Sequence, residues 1–159
     1  MKQQIKELRV KIDGLAQLTE QLNPVFPKDN NGKFIHSREI EKSIDNLYLA
    51  KAWLGKVLGE LGVETPYAND GKRKSVEDIE PTTDVCEETP FDFIQKSHIE
   101  KVDYLRQEIQ KVIEELFDIK TSGAMLSFKN NINTTNAYNY LCEARFWLGF
   151  ELSRCRDEK

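Results

Sequence analysis

The chain has 159 residues, enough for one ordinary domain or two small units sharing a core. Hydrophobic residues make up 39% and charged residues 31%, with a formal net charge of -4, which suits a soluble helical protein and argues against broad attraction to a nucleic-acid polymer. No run approaches the roughly 18 apolar residues of a membrane span, so no membrane partner is expected.

The opening MKQQIKELRVKIDGL alternates charged and apolar residues and has no signal-peptide apolar block. Cys86, Cys142 and Cys155 are scattered and odd in number, which reads as thiols in a reducing cytoplasm. Ile5, Leu8, Ile12, Leu15, Leu18 and Leu22 recur at threes and fours and predict an amphipathic helix that Asn23-Pro24 ends. The connection PVFPKDNNGKF carries turn chemistry, and Ser37 is positioned to cap a second helix. That helix carries Ile40, Ile44, Leu47, Leu54, Leu58 and Leu61 and stops at Gly62.

Residues 63–96 have no sustained period and hold three of the five prolines, the composition of a long irregular linker. Tyr67, Val76, Ile79, Val85, Phe91 and Phe93 are apolar anchors that a slack tether would not need. Beyond it, Ser97 and Glu100 have capping-box spacing ahead of Ile99, Val102, Ile109, Val112 and Leu116. After Ser122-Gly123, Thr134 or Thr135 is expected to cap the last helix, which carries Tyr138, Leu141, Leu148 and Leu152.

The two halves resemble each other. LYLAKAWLGKVL (Leu47 to Leu58) and LCEARFWLGFEL (Leu141 to Leu152) hold both tryptophans, Trp53 and Trp147, at an offset of 147 − 53 = 94. The same offset pairs Lys51 with Arg145, Gly55 with Gly149, Leu8 with Val102, Leu22 with Leu116 and Phe34 with Phe128. It fails at Ile12, whose partner is Arg106. One offset spanning two helical patterns and their connection points to a tandem duplication. The expected fold is all-α: a hairpin over 1–62, a linker over 63–96 and a hairpin over 97–159, packed about a pseudo-twofold relation. Glycine inside a helix costs about 1 kcal/mol, so Gly55 and Gly149 need a reason. Either they admit a close neighbour, or they leave a tryptophan face open to a planar ligand; packing is the expected answer, with both tryptophans in the core.

The chemistry-bearing candidates lie mostly in the linker. Gly71 followed by Lys72, Arg73 and Lys74 suits a phosphate, although a solvated charge run has the same composition. Around it, Tyr67 offers a stacking ring and Asn69, Thr82, Thr83 and Asp84 offer hydrogen-bonding groups of the kind a nucleotide uses. Neither His36 nor His98 has cysteine or carboxylate partners at ligand spacing, so no metal and no cofactor is expected. No GxSxG, HExxH or dinucleotide fingerprint occurs, and no enzyme is expected.

The helix LYLAKAWLGKVLGELG with the segment TPYANDGKRKSVEDIEPTTD resembles phage proteins carrying the helical hairpin domain of the anti-CBASS and Thoeris anti-defence sponges. The resemblance covers Ser37 to Asp84 best, and Asn136 to Arg154 more weakly through the repeat. Such proteins are small, helical, oligomeric and non-enzymatic. They bind cyclic oligonucleotides or cyclic ADP-ribose isomers in the infected bacterial cytoplasm and withhold them from immune effectors without cleavage. The resemblance therefore implies a nucleotide signal as ligand and a homo-oligomer. On that reading Lys72, Arg73 or Lys74 meet phosphates together with Lys51 or Arg145, while Tyr67 or Phe34 stacks on a base. Two other classes compete. A helical protein–protein adaptor fits the acidic balance and an apolar stripe, whereas a phosphodiesterase lacks its usual metal ligands.

Overall fold

In a computed structural model the chain forms four helices: α1 (Lys2–Glu20), α2 (Arg38–Glu60), α3 (His98–Thr121) and α4 (Phe128–Asp157). The structure describes residues 1–22, 37–62, 93, 95–122 and 128–157. Among these no strand occurs, and no helix is long and apolar enough to cross a membrane.

Local chemistry sets the helix starts. Ser37 is extended, and its Oγ accepts from the Ile40 N–H at 3.3 Å, which opens α2. Ser97 opens α3 with a full capping box: its Oγ accepts from the Glu100 N–H at 3.3 Å, and Glu100 Oε2 accepts from the Ser97 N–H at 3.1 Å. Gly62, at φ +85, supplies the left-handed residue that terminates α2. The start of α4 differs from expectation. The helix begins at Phe128, and Thr134 lies inside it, fully buried, with Oγ1 donating to the Asn130 carbonyl at 2.6 Å. A threonine whose hydroxyl is satisfied by the carbonyl one turn back has no need to act as a cap.

Packing then follows the apolar stripes. α4 buries Ala137, Leu141, Ala144, Leu148 and Leu152, a repeat of threes and fours, against α2 and α3. Its most extensive contact is with α2, where Ala50 and Ala144 are fully buried and small enough to bring the backbones together. Ser43 Oγ donates to the Ala144 carbonyl across this interface at 3.0 Å. α1 packs on α2, α3 on α4, and α1 on α3. This set of contacts is unchanged when α1 is exchanged for α3 and α2 for α4. Matched positions share their burial: Leu47 with Leu141, Leu54 with Leu148 and Leu58 with Leu152 all belong to the core.

The expected linker lies outside the described residues up to residue 92. Phe93 is 2% exposed, with its ring 5.8 Å from that of Tyr104, so this anchor is part of the core. The tryptophans depart from expectation, being half-buried instead of core. Lys56 Nζ sits 3.8 Å over the Trp53 ring, and the Arg38 guanidinium 5.8 Å over that of Trp147. A large ring at a helix flank keeps one face for a cation when the leucines on either side have taken the core.

Leu148 and Phe146 point to opposite environments on one helix, at 0% and 60% exposure. Leu148→Ala is expected to cost about 3 kcal/mol in urea unfolding, and Phe146→Ala no more than about 0.5 kcal/mol. Equal losses would mean that the face of α4 is wrongly assigned.

Candidate ligand-binding groove

The break in the repeat carries the site. Ile12 is fully buried in α1, but its counterpart Arg106 in α3 cannot enter a core without desolvating its charge. Arg106 instead lies across α4, with its guanidinium against Gly149. A Cβ built there would meet Nη2 at 3.5 Å, and Cζ and Nε at 3.6 Å. The close neighbour of Gly149 is therefore a guanidinium, neither a backbone nor a tryptophan. Arg106 Nε is buried without a hydrogen-bond partner.

Beside it opens a groove of about 310 Å³ between α3 and α4, lined by Arg106, Cys142, Arg145, Phe146, Gly149, Phe150 and Ser153. Arg145 is exposed, and neither arginine forms an ion pair among the described residues. The rings of Phe146 and Phe150 are 60% and 47% exposed and meet edge-on at 4.6 Å. Trp147 joins them, 5.7 Å from Phe150. Burial pushes the Cys142 thiol up, against the Tyr138 hydrogen bond and the Arg145 charge, so it stays protonated at neutral pH. The groove thus offers two cations, two exposed rings and an uncharged thiol. Such a set suits an anion that also carries a planar group, because guanidinium forks take phosphate oxygens and open rings accept a base.

The matched position in the first half is treated differently. Lys51 Nζ pairs with Asp13 at 2.9 Å, and the Lys51 carbonyl accepts from Arg9 Nε at 3.2 Å, binding α2 to α1. Lys51 is thus committed to packing, whereas Arg145 faces the groove, and Lys51 does not line it. Tyr67, Asn69, Lys72, Arg73, Lys74, Thr82, Thr83, Asp84 and Phe34 lie outside the described residues. A larger cavity of about 430 Å³ between α2 and α4 has Lys56 and Lys129 but also Glu60, and Lys56 is held over Trp53. It is the poorer anion site.

A second polar centre joins three helices. Glu151 has no exposed side-chain surface; its Oε2 accepts from Ser37 Oγ at 2.8 Å, and its Oε1 from Arg154 Nη2 at 2.6 Å. His98 Nε2 lies 3.0 Å from Oε1, and because an ionised carboxylate only accepts, Nε2 carries the proton. Burial pushes the Glu151 carboxyl up, but the hydrogen bonds from His98, Arg154 and Ser37 and the Arg154 charge outweigh it and hold it at about 2. Cys155 Sγ lies 3.6 Å from Oε1. Sequence spacing gives His98 no cysteine or carboxylate partner, and the carboxylate it meets in the fold, Glu151, lies 53 residues away in the chain.

No family model, curated protein or solved structure matches the chain.

Sequence reasoning missed Arg106, Phe146, Phe150 and Glu151. A signal for Arg106 was present as the one failure of the 94-residue register. For Glu151 it was a carboxylate at the position matched to Val57, which is fully buried.

Two outcomes follow from this geometry. The methyl of Gly149→Ala meets only ordinary contacts, so the variant should gain up to about 1 kcal/mol from helix propensity; a loss in thermal unfolding would show that the guanidinium cannot yield. The Glu151 carboxyl is depressed from 4.5 to about 2, so its contribution is complete above pH 4.5 and is lost as pH falls toward 2. That contribution is about 3 kcal/mol, and Glu151→Gln should lack it at neutral pH and show a flatter stability curve over this window. Parallel acid-unfolding curves for the two proteins would contradict it.

Proposed function

We propose that the protein is a phage anti-defence sponge, which binds and sequesters a nucleotide immune second messenger without cleaving it. The observation that carries this reading is the pair of guanidinium groups, Arg106 and Arg145, beside the exposed rings of Phe146 and Phe150. The resemblance of LYLAKAWLGKVLGELG and TPYANDGKRKSVEDIEPTTD to the sponge proteins supports the same class. The ligand is a cyclic oligonucleotide or a cyclic ADP-ribose isomer, taken up in the cytoplasm of the infected host. Phosphates engage Arg106 and Arg145, with Lys72, Arg73 or Lys74 from the linker, and a base stacks on an open ring. The working unit is a homo-oligomer, as in the proteins it resembles.

A second reading, an adaptor that blocks a host protein, is favoured by one observation. Phe146 and Phe150, with Phe117 at 49%, present apolar rings to solvent that a protein partner would cover.

Thermal unfolding against a panel of cyclic nucleotides and cyclic ADP-ribose isomers separates the two. A ligand at about one hundred times its dissociation constant adds roughly 2.7 kcal/mol, or roughly 5–10 °C at this chain length. One ligand should shift the wild type and be recovered unchanged after denaturation. Arg106→Gln with Arg145→Gln should abolish the shift, and Lys72→Glu with Arg73→Glu should weaken it. A shift that survives the arginine pair moves the pocket elsewhere, cleaved ligand makes the protein an enzyme, and a flat panel with a protein captured in pulldown makes it an adaptor.

A further inference from the structure

We propose that His98, Glu151 and Cys155 form a binding site for a zinc-class divalent cation at the junction of α3 and α4, separate from the groove and independent of the nucleotide reading. The three residues offer one nitrogen, one oxygen and one sulfur, and these atoms all lie within 4.8 Å of one another. Tetrahedral zinc, with bonds of about 2.0 Å to nitrogen and oxygen and about 2.3 Å to sulfur, sets its ligands about 3.3 Å (N to O) and about 3.5 Å (O to S) apart. The separations here are 3.0 Å from His98 Nε2 to Glu151 Oε1 and 3.6 Å from Oε1 to Cys155 Sγ. Two of the three edges of the ligand triangle are already near their bound lengths, and only the Cys155 to His98 edge has to close.

The donor set also fits the ion by chemistry. Imidazole, carboxylate and thiolate together suit zinc better than magnesium or calcium, which take oxygen alone. Protons balance on binding. The Cys155 thiol releases its proton to solvent, and the His98 proton moves from Nε2 to Nδ1. Nδ1 is buried without a hydrogen-bond partner, so it is free to take that proton, at the cost of one unpaired N–H that the metal bond has to outweigh. The competing group is Arg154, which donates to Oε1 at 2.6 Å through Nη2 and to Oε2 at 3.3 Å through Nε. Its Nε is also 3.9 Å from Glu39 Oε2, so the guanidinium has a second carboxylate to turn to when the ion takes Oε1. Ser37 keeps its bond to Oε2, which orients the carboxylate as an outer partner does at metal sites. The bound charges then cancel: two carboxylates and one thiolate against the dication and Arg154. The fourth position is left to water, reached past His98, whose side chain is 21% exposed.

The test is titration of the reduced, chelator-washed full chain with cobalt(II) alone, followed by competition with zinc. One equivalent should produce a near-ultraviolet thiolate-to-cobalt band that zinc abolishes. Cys155→Ser should remove the band, while Cys142→Ser and Cys86→Ser keep it. His98→Gln, which retains a donor for Glu151, should weaken binding at least tenfold with unchanged helical circular dichroism. Absence of the band in the wild type overturns the site, whether or not any variant folds. So does a band that persists in Cys155→Ser or moves with Cys142 or Cys86.

Discussion

A carboxylate with no exposed surface constrains this molecule more than any other single group. An isolated buried charge costs several kcal/mol, so Glu151 has to find donors, and it finds them on three helices. Ser37 reaches it from the cap of α2, His98 from the first residue of α3, and Arg154 from the next turn of α4. The starts of α2 and α3 are thereby brought to one flank of α4. Ser37 does two tasks at one place, accepting from Ile40 to open α2 while donating to Glu151 to dock it.

From that anchored end the apolar stripes do the rest. α4 lies between α2 and α3, and its alanines let it approach α2 closely while its leucines fill the remaining space. The stripe consumes one face of α4, and the opposite face is exposed. Phe146, Trp147 and Phe150 cluster there at a cost in exposed apolar surface that packing within the described residues does not offset.

The two hairpins meet the same structural need with different electrostatics. In the first, a lysine at the repeated position is neutralised by Asp13, and the α1–α2 seam is closed by a core isoleucine. In the second, an arginine occupies that isoleucine's register and another arginine the lysine's, so the α3–α4 seam is cationic and open. The repeated pattern thus leaves one seam closed by apolar packing and an ion pair and the other lined by two arginines.

How much of this was legible in the chain follows from the range of each interaction. Periodicity and capping are local: the stripes of α1 to α3, the Ser37 cap, the Ser97–Glu100 box and the stop at Gly62 could be read from neighbours three or four residues apart. The start of α4 could not, because Thr134 is satisfied by a carbonyl one turn back and buried by other helices. The all-α class and the hairpin pairs were determined by sequence alone, since an amphipathic stripe must bury its face against another. The groove and the Glu151 cluster were decided only by tertiary structure. Their members are far apart in the chain and are joined by the packing of α3 against α4, and no local pattern specifies which charge a buried carboxylate will meet.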